Sequence, residues 1–421
     1  MSAEAFKSTF PVPDLYLALN TKKANPSHPL IREAIASRLK AYQELALDIH
    51  AHPEVSNYEF YSFEALAKQL EAEGFTVTRD VAGHRTGFSA VYDTKKPGPV
   101  MVFLAEYDAL EGLGHGCGHN LYGVYSSLAA VALKNLPGLT GQVRVYGTPG
   151  EEGGENGSAK GSFVRHGFFD DVDAALCAHP ATKYQPTSNS LAVDPVDIKF
   201  YGAASHAAAA PEHGINALEA LISVFNGINA LRLNLPKDVN IHGIITHGGD
   251  APNVIPEFAS ARFFLRAANR KTLNKVYEKV ENIVKGAALA TGCTHEFGLF
   301  QNAVDDTIIT PLFDDVFKSH FQSTGIPDTD IDLSAKNSFG SSDVGNVSQV
   351  IPTIQPTVSI SDEFVPGHTV AFRDAAKSKK GLASIALTAE LLAKTAWDLI
   401  ENPGLLEAIK AQHKVQVEKG N

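Results

Sequence analysis

The stretch Val100–Asn120, VMVFLAEYDALEGLGHGCGHN, restricts the fold more than any other part of the chain. It opens on an unbroken apolar run, Val100 to Leu104, which suits a strand covered on both faces. It turns polar at Glu106, Tyr107 and Asp108, and then reaches His115-Gly-Cys117-Gly-His119. Metal-binding side chains at alternate positions, spaced by glycines, allow the backbone to bend tightly around one point. Cys117 and His119 can face the same way, because alternate residues of an extended segment share a side. A helical spacing of apolar residues follows at once (Leu121, Val124, Leu128, Val131). A ligand-rich loop between a buried strand and a helix belongs at the carboxyl edge of an open α/β sheet.

The rest of the chain supports that class. At 421 residues it exceeds one compact core, and two domains are expected. Residues 1–29 are Pro-bearing and read as a surface arm. Helical spacing over 30–50 and 60–73, strands over 75–79, 87–92 and 99–105, a helix over 121–136, and strands over 142–147 and 173–178 alternate as in an α/β domain with a largely parallel sheet. From about Leu191 the pattern becomes strand 194–201, helix 214–233, strands 239–247 and 258–267, helix 271–291 and strand 293–299. That βαββαβ order is ferredoxin-like, and about 110 residues suffice for one such unit. A helix over 310–322, a strand over 350–360 and helices over 370–400 then return to the first domain. The expected division is a catalytic α/β/α domain over 1–191 and 306–421, with an inserted α+β lid over 192–305.

Charge and cysteine usage exclude several functions. The net charge is −11 and no basic block occurs, so the electrostatic footprint of nucleic-acid binding is missing. The longest apolar stretch, near Gly381–Ile400, is broken by Glu390 and Lys394 and reads as an amphipathic helix instead of a membrane span. Three cysteines, Cys117, Cys177 and Cys293, make no disulfide framework and point to a reducing compartment. With no signal-peptide pattern at the N-terminus, a cytoplasmic location is expected.

Two further strand ends carry chemistry. Gly147-Thr-Pro-Gly-Glu151-Glu152 follows one strand. Adjacent residues of extended backbone point to opposite sides, so one carboxylate can bind a metal while the other faces the space before it. Metal-assisted hydrolysis needs that division between ligand and general base. His179 closes another strand, in Leu176-Cys-Ala-His-Pro. A lone histidine is more often structural, but a parallel sheet gathers its strand ends at one edge. His368, in Val365-Pro-Gly-His-Thr, carries no pattern of its own that decides its role.

Taken together these motifs resemble the zinc-dependent aminoacylase and glutamate carboxypeptidase family, metallopeptidase family twenty. Within it the chain is most similar to the amidohydrolase subfamily D and its branch of Xaa-Arg and β-alanyl-lysine dipeptidases. The motifs are His52-Pro-Glu, Glu106-Tyr-Asp-Ala-Leu, Gly114-His-Gly-Cys-Gly-His-Asn, Gly147-Thr-Pro-Gly-Glu-Glu, Ala178-His-Pro and Ala204-Ser-His-Ala-Ala, followed by Pro252-Asn-Val-Ile-Pro, Phe264-Leu-Arg, Ser341-Ser-Asp-Val-Gly and Gly367-His-Thr. The resemblance implies Cys117, His119, Glu152, His179 and His368 as metal ligands, Glu151 as general base, and Asp108 as a carboxylate that orients a ligand. It implies one or two divalent ions per chain, zinc first, with manganese and cobalt also accepting such donors. His206, Asn253 and Arg266 of the lid are implied to reach substrate, His206 also as an oxyanion donor and Arg266 as a fork for a carboxylate. Pairing of lids into a homodimer or higher oligomer is implied too. One departure is Gly150, where Ala is expected, and His115 is left as a residue supporting the ligands from behind.

The function expected from these residues is hydrolysis of the amide bond of a dipeptide or N-acyl amino acid with a free carboxylate, a dipeptide first. The alternatives are an aminoacylase-like hydrolase, an amide-forming biosynthetic relative, and a metal-free binding protein of the same fold. The last would lack a ligand or the base, and none is missing from the sequence.

Overall fold

The computed structural model describes residues 25–334 and 340–420; most of the expected N-terminal arm, residues 1–24, lies outside them. Its strands are β1 (Thr76–Val81), β2 (His84–Asp93), β3 (Val100–Ala105), β4 (Gln142–Gly147), β5 (Ala174–Leu176), β6 (His179–Ala181), β7 (Ala192–Tyr201), β8 (Asn240–His247), β9 (Phe258–Ala267), β10 (Thr294–Leu299), β11 (Thr353–Ile354) and β12 (Thr357–Ser359). The main sheet runs β1-β2-β4-β3-β5-β11. β4, β3, β5 and β11 are mutually parallel, and the β1–β2 hairpin joins β4 antiparallel at one side. β3 lies in the middle, which is why its residues from Met101 to Ala105 are fully buried. Against β3 and β4 lies the helix His119–Lys134, buried along nearly its whole length. Its outer side is covered by the helices Leu39–Ala51 and Lys379–Glu401, so apolar residues surround it.

The inserted segment has the expected topology. Its sheet is β10-β7-β9-β8, antiparallel throughout, with the helices Ala217–Arg232 and Arg270–Thr291 packed on it. The sheet's residues alternate buried and exposed along β9, as a one-sided antiparallel sheet requires. Two separate hydrophobic cores result. One draws on Ile31 through Tyr184 and on Phe313 through Ile409, the other on Ala192 through Cys293.

Three local expectations are corrected. The helix expected over 30–50 is two helices, His28–Ala36 and Leu39–Ala51. Ser37 Oγ and Arg38 Nη1 both donate to the Ala34 carbonyl, at 3.0 and 3.2 Å, which the helix ladder would otherwise use. The strand expected over 350–360 is two short strands in different sheets, because Pro356 lacks the N–H a continuous ladder needs. The strand expected over 173–178 likewise stops at Leu176, and β6 pairs with β12 instead.

Candidate metal centre

The carboxyl ends of β4, β3 and β5 lie side by side, and each runs into a segment rich in donor atoms. After β3 the chain passes Glu106 and Asp108 and reaches Cys117 and His119 through two tight glycines. Gly118 has φ +78°, and a Cβ there would sit 2.9 Å from Pro180 Cβ, so no side chain fits between the two donor residues. After β4, Gly150 is also left-handed at φ +70°, and a Cβ would collide with Ser56 Oγ. Gly150 is therefore needed for the turn that presents Glu151 and Glu152; it does more than add freedom to the backbone. The fourth segment comes from far along the chain. His368 is left-handed at φ +60°, a strained conformation for a non-glycine, and its N–H donates to the Gly116 carbonyl at 2.9 Å.

These segments bring the expected ligand residues together. Donor atoms of Cys117, His119 and His179 lie within 4.8 Å of one another, as do those of Cys117, Glu152 and His368. Cys117 belongs to both groups and joins the five into one cluster. Cys117 Sγ is 3.4 Å from His179 Nε2, and His368 Nε2 is 3.4 Å from Glu152 Oε2. Asp108 spans two of them: Oδ1 accepts from His119 Nδ1 at 2.8 Å and Oδ2 accepts from the Glu152 N–H at 2.9 Å. His179 Nδ1 donates to the Pro180 carbonyl at 2.8 Å. Both histidines thus engage Nδ1 outward and turn Nε2 inward, the arrangement of metal-binding imidazoles. His119 Nε2 and Glu152 Oε1 are buried without a hydrogen-bond partner. Buried polar atoms are otherwise paired, so these orphans fit a cation, and the mixed N, S and O donors fit a borderline divalent one.

Charge in the cluster is crowded. Burial, then Glu106 and Glu152, push the Glu151 carboxyl well above its ordinary range. Burial and Glu152 likewise push up the Cys117 thiol. Burial works against a charged His119, but Asp108 and Cys117 outweigh it and raise that imidazole. Burial, then His119, lowers His179 to about 4. Glu151 Oε2 lies 4.0 Å from His119 Nε2, outside the two groups that hold the five but in a further group of donor atoms with Glu106 and His119.

Sequence reasoning missed the support behind the cluster. Lys160 is fully buried, with Nζ 2.8 Å from Glu106 Oε1 and 2.5 Å from Asp343 Oδ1. Glu106 Oε2 in turn faces His119 Nε2 at 3.2 Å. The two-residue step from Glu106 to Asp108 is the available signal, since both point to the same side of an extended segment. Nothing in the sequence marks Lys160 as buried. His115 supports the loop elsewhere: its Nε2 bonds the Ile49 carbonyl at 3.1 Å, on the helix Leu39–Ala51.

The lid residues make their own local contacts. His206 and Asn253 lie on neighbouring exposed turns, where Ala207 N–H donates to the Asn253 carbonyl at 3.0 Å. His206 Nδ1 accepts from the N–H groups of Ala208 and Ala209 at 3.2 and 3.1 Å. Arg266 is half-buried and donates to Ser341 Oγ at 3.0 Å, two residues from Asp343. Among the described residues, His206 belongs to none of the groups able to hold an ion.

Comparison with known proteins matches the same regions. The profile of the peptidase dimerisation domain matches residues 195–291. The chain is 32% identical to the human Xaa-Arg dipeptidase over 401 residues, covering 91% of this chain and 90% of that protein. It is 40% identical over 288 residues to a polypeptide of the p-aminobenzoyl-glutamate hydrolase of Escherichia coli, covering 63% of this chain and 59% of that one. Among solved structures, an aminobenzoyl-glutamate utilization protein from Klebsiella pneumoniae aligns with a TM-score of 0.67 at 20% identity, covering 88% of this chain and 98% of that one. A dinuclear metal-binding peptidase of the M20 family from Bacillus subtilis aligns with a TM-score of 0.59 at 20% identity, covering 87% and 99%.

Proposed function

The chain belongs to the M20 peptidase family, and from that premise we propose that it is a dipeptidase acting at the cluster of Cys117, His119, Glu152, His179 and His368. Its broad activity is metal-dependent hydrolysis of a C–N amide bond, in a dipeptide or an N-acyl amino acid. The observation that carries the finer reading is the division of labour at the β4 edge. Glu152 is clamped through its N–H by Asp108 and faces His368, while Glu151, next to it, groups with Glu106 and His119 and not with the two groups that join the five.

In this reading the five residues hold one or two divalent ions, zinc first. When bound, such ions polarise the scissile carbonyl and lower the pKa of the attacking water. Glu151 takes the proton from that water and delivers it to the leaving nitrogen; its raised affinity for protons suits that exchange. Asp108 holds His119 in one tautomer and fixes the Glu152 backbone. Arg266, with its planar fork, and Asn253 bind the substrate carboxylate, and His206 donates to the developing oxyanion. Because these three sit on the lid, closure or pairing of lids is needed to bring them to the centre. A homodimer through the lid is supported by the matched dimerisation profile and by the outer strand β8, where Ile244 and Ile245 are 65% and 47% exposed. Three free cysteines suit a reducing, cytoplasmic setting, and no helix among the described residues is long and apolar enough to cross a membrane.

The second reading, an N-acyl amino acid hydrolase, is favoured by the 40% identity to the aminobenzoyl-glutamate enzyme. A panel of dipeptides with basic C-terminal residues against N-acyl amino acids separates the two. Glu151→Gln tests the mechanism: metal content is expected to stay and kcat to fall by at least about a hundredfold. Undiminished kcat removes Glu151 from the reaction.

A further inference from the structure

We propose that His28, His320 and Asp398 form a second site for a borderline divalent cation, zinc being the one expected, separate from the catalytic centre. The three residues come from distant parts of the chain. His28 opens the helix His28–Ala36, His320 stands at the corner between the helices Pro311–Ser319 and Phe321–Thr324, and Asp398 lies on the long helix Lys379–Glu401. Their donor atoms lie within 4.8 Å of one another, and the cluster shares no residue with the catalytic groups. His320 and Asp398 are more than nine-tenths buried, and His28 is 17% exposed at its side chain.

The contacts are close, but the ring N–H groups are poorly aligned on the carboxylate. His320 Nε2 lies 2.9 Å from Asp398 Oδ2, and His28 Nε2 lies 3.5 Å from Oδ1. Even so, His28 Nε2, His320 Nε2 and Asp398 Oδ2 are all buried without a hydrogen-bond partner. Two ring nitrogens thus stand at contact distance from the two oxygens of one carboxylate, neither aligned on it, with one donor atom of each residue within 4.8 Å of the others. Around a tetrahedral zinc with bonds of about 2.0–2.1 Å, neighbouring donors stand about 3.3 Å apart, and the two spacings at Asp398 fall on either side of that value. Two imidazoles and a carboxylate are also a common zinc donor set.

The surroundings accept the charge. Burial pushes the Asp398 carboxyl up, but the two histidines outweigh it and hold it at about 2. Burial lowers the His320 imidazole, against the pull of Asp398. The ammonium of Lys394, one turn away on the same helix, is taken up by Glu390 at 2.5 Å and Ser323 Oγ at 3.0 Å. Arg32 is held by the same Glu390 at 2.7 Å. Asn25 Nδ2 approaches Asp398 Oδ1 at 3.4 Å and bonds Glu401 at 2.7 Å. With three protein donors the fourth position is left to water, so the ion exchanges and occupancy follows its concentration. Bound there, it ties the helix His28–Ala36 to the long C-terminal helix and stabilises the fold by mass action.

The test is zinc per folded chain, by plasma mass spectrometry, for the full chain and for His28→Gln and His320→Gln, each dialysed to equilibrium against micromolar zinc with the zinc of the outer solution subtracted. Each variant is expected to carry one zinc fewer than the unaltered chain, and added zinc should raise its Tm less. Circular dichroism checks folding, and if His320→Gln does not fold, the more exposed His28→Gln decides alone. Equal zinc in the unaltered chain and folded His28→Gln overturns the proposal and leaves a plain polar cluster, as does binding only at millimolar zinc. Should the catalytic centre hold no metal, all three proteins lose that share alike, and the difference of one zinc still reads this site.

Discussion

Asp108→Asn is the substitution that most directly tests how the centre is held. The carboxylate accepts two hydrogen bonds from donors, His119 Nδ1 at 2.8 Å and the Glu152 N–H at 2.9 Å. Asparagine keeps the shape but has one accepting oxygen and one donating NH2. It can satisfy His119 or Glu152, and the other N–H then meets a donor. The loss is one charge-assisted hydrogen bond in a buried place, about 1.5–3 kcal/mol. If His119 is the one left unpaired, its ring is free to flip tautomer and turn Nε2 away. If Glu152 is, its turn loosens. Either way the loss falls on metal affinity, where about ten- to a hundredfold weakening is expected from removing such a partner. The assay is competition for zinc with a chromogenic chelator, with kcat measured separately at saturating metal. The expected pattern is weaker zinc binding with kcat partly restored by excess zinc. Zinc affinity within about threefold of the unaltered chain would refute the reasoning, because it would mean that neither hydrogen bond orients a ligand.

Three further substitutions read the surrounding structure. Lys160→Met leaves Glu106 and Asp343 buried without the ammonium between them, though the N–H of residue 160 still donates to Asp343, and should lower stability by about 3–5 kcal/mol in urea unfolding; a loss under about 1 kcal/mol would show that the carboxylates find other partners. Gly123→Ala places a Cβ 2.7 Å from the Glu106 carbonyl oxygen and 2.9 Å from Leu66 Cδ1, so crowding of about 1–3 kcal/mol should exceed the helical preference for alanine of about 1 kcal/mol. A rise in Tm for that variant would contradict the close approach of helix to strand end. Burial raises the Asp314 carboxyl from 3.8 to about 6, so the folded chain holds a proton the unfolded chain has released. Its contribution is complete below pH 3.8 and is lost as pH rises through about 6, at about 1.4 kcal/mol per pH unit in that window. Asp314→Asn keeps an acceptor for the N–H and hydroxyl of Thr187, and should flatten the fall in Tm between about pH 4 and 7; an unchanged slope would assign the effect to other groups.

How much of this the sequence carried depends on the range of the interactions. The β3 run and the loop after it are local, and the spacing of Cys117, His119, Glu151 and Glu152 relative to strand ends needs only the alternation of extended backbone. The lid order is legible because its periods switch cleanly between strand and helix. The break at Ser37–Arg38 is hidden, since Ile31, Ile35, Tyr42, Ala46 and Ile49 keep one helical stripe across it. What bends the chain there is competition for one carbonyl, which periodicity does not register. Lys160 is illegible for a different reason. A lysine after a Gly-rich turn reads as solvated, and only the three-dimensional meeting with Glu106 and Asp343 makes its burial tolerable. Gly150 reads as a tolerated departure, and its left-handed backbone and contact with Ser56 lie beyond any composition rule.

Lys160 also bears on why Glu151 can serve as a base. Glu106, Asp108, Glu151, Glu152 and Cys117 put more negative charge into one buried place than His119 and Lys160 balance. Burial first, and then that crowding, pushes both Glu151 and the Cys117 thiol up. Glu106 has the Lys160 ammonium 2.8 Å away as its counter-charge, and Asp108 has His119. Cation uptake must therefore expel the protons held at Cys117 and relieve Glu152, since ligands bind deprotonated. In the proposed reading Glu152 holds the cation and Glu151 moves the proton, and the Glu151 carboxyl owes its affinity for protons first to burial and then to Glu106. Lys160 limits that affinity by neutralising Glu106. The buried ammonium, which contacts neither donor group, thereby tunes the residue proposed to move the proton.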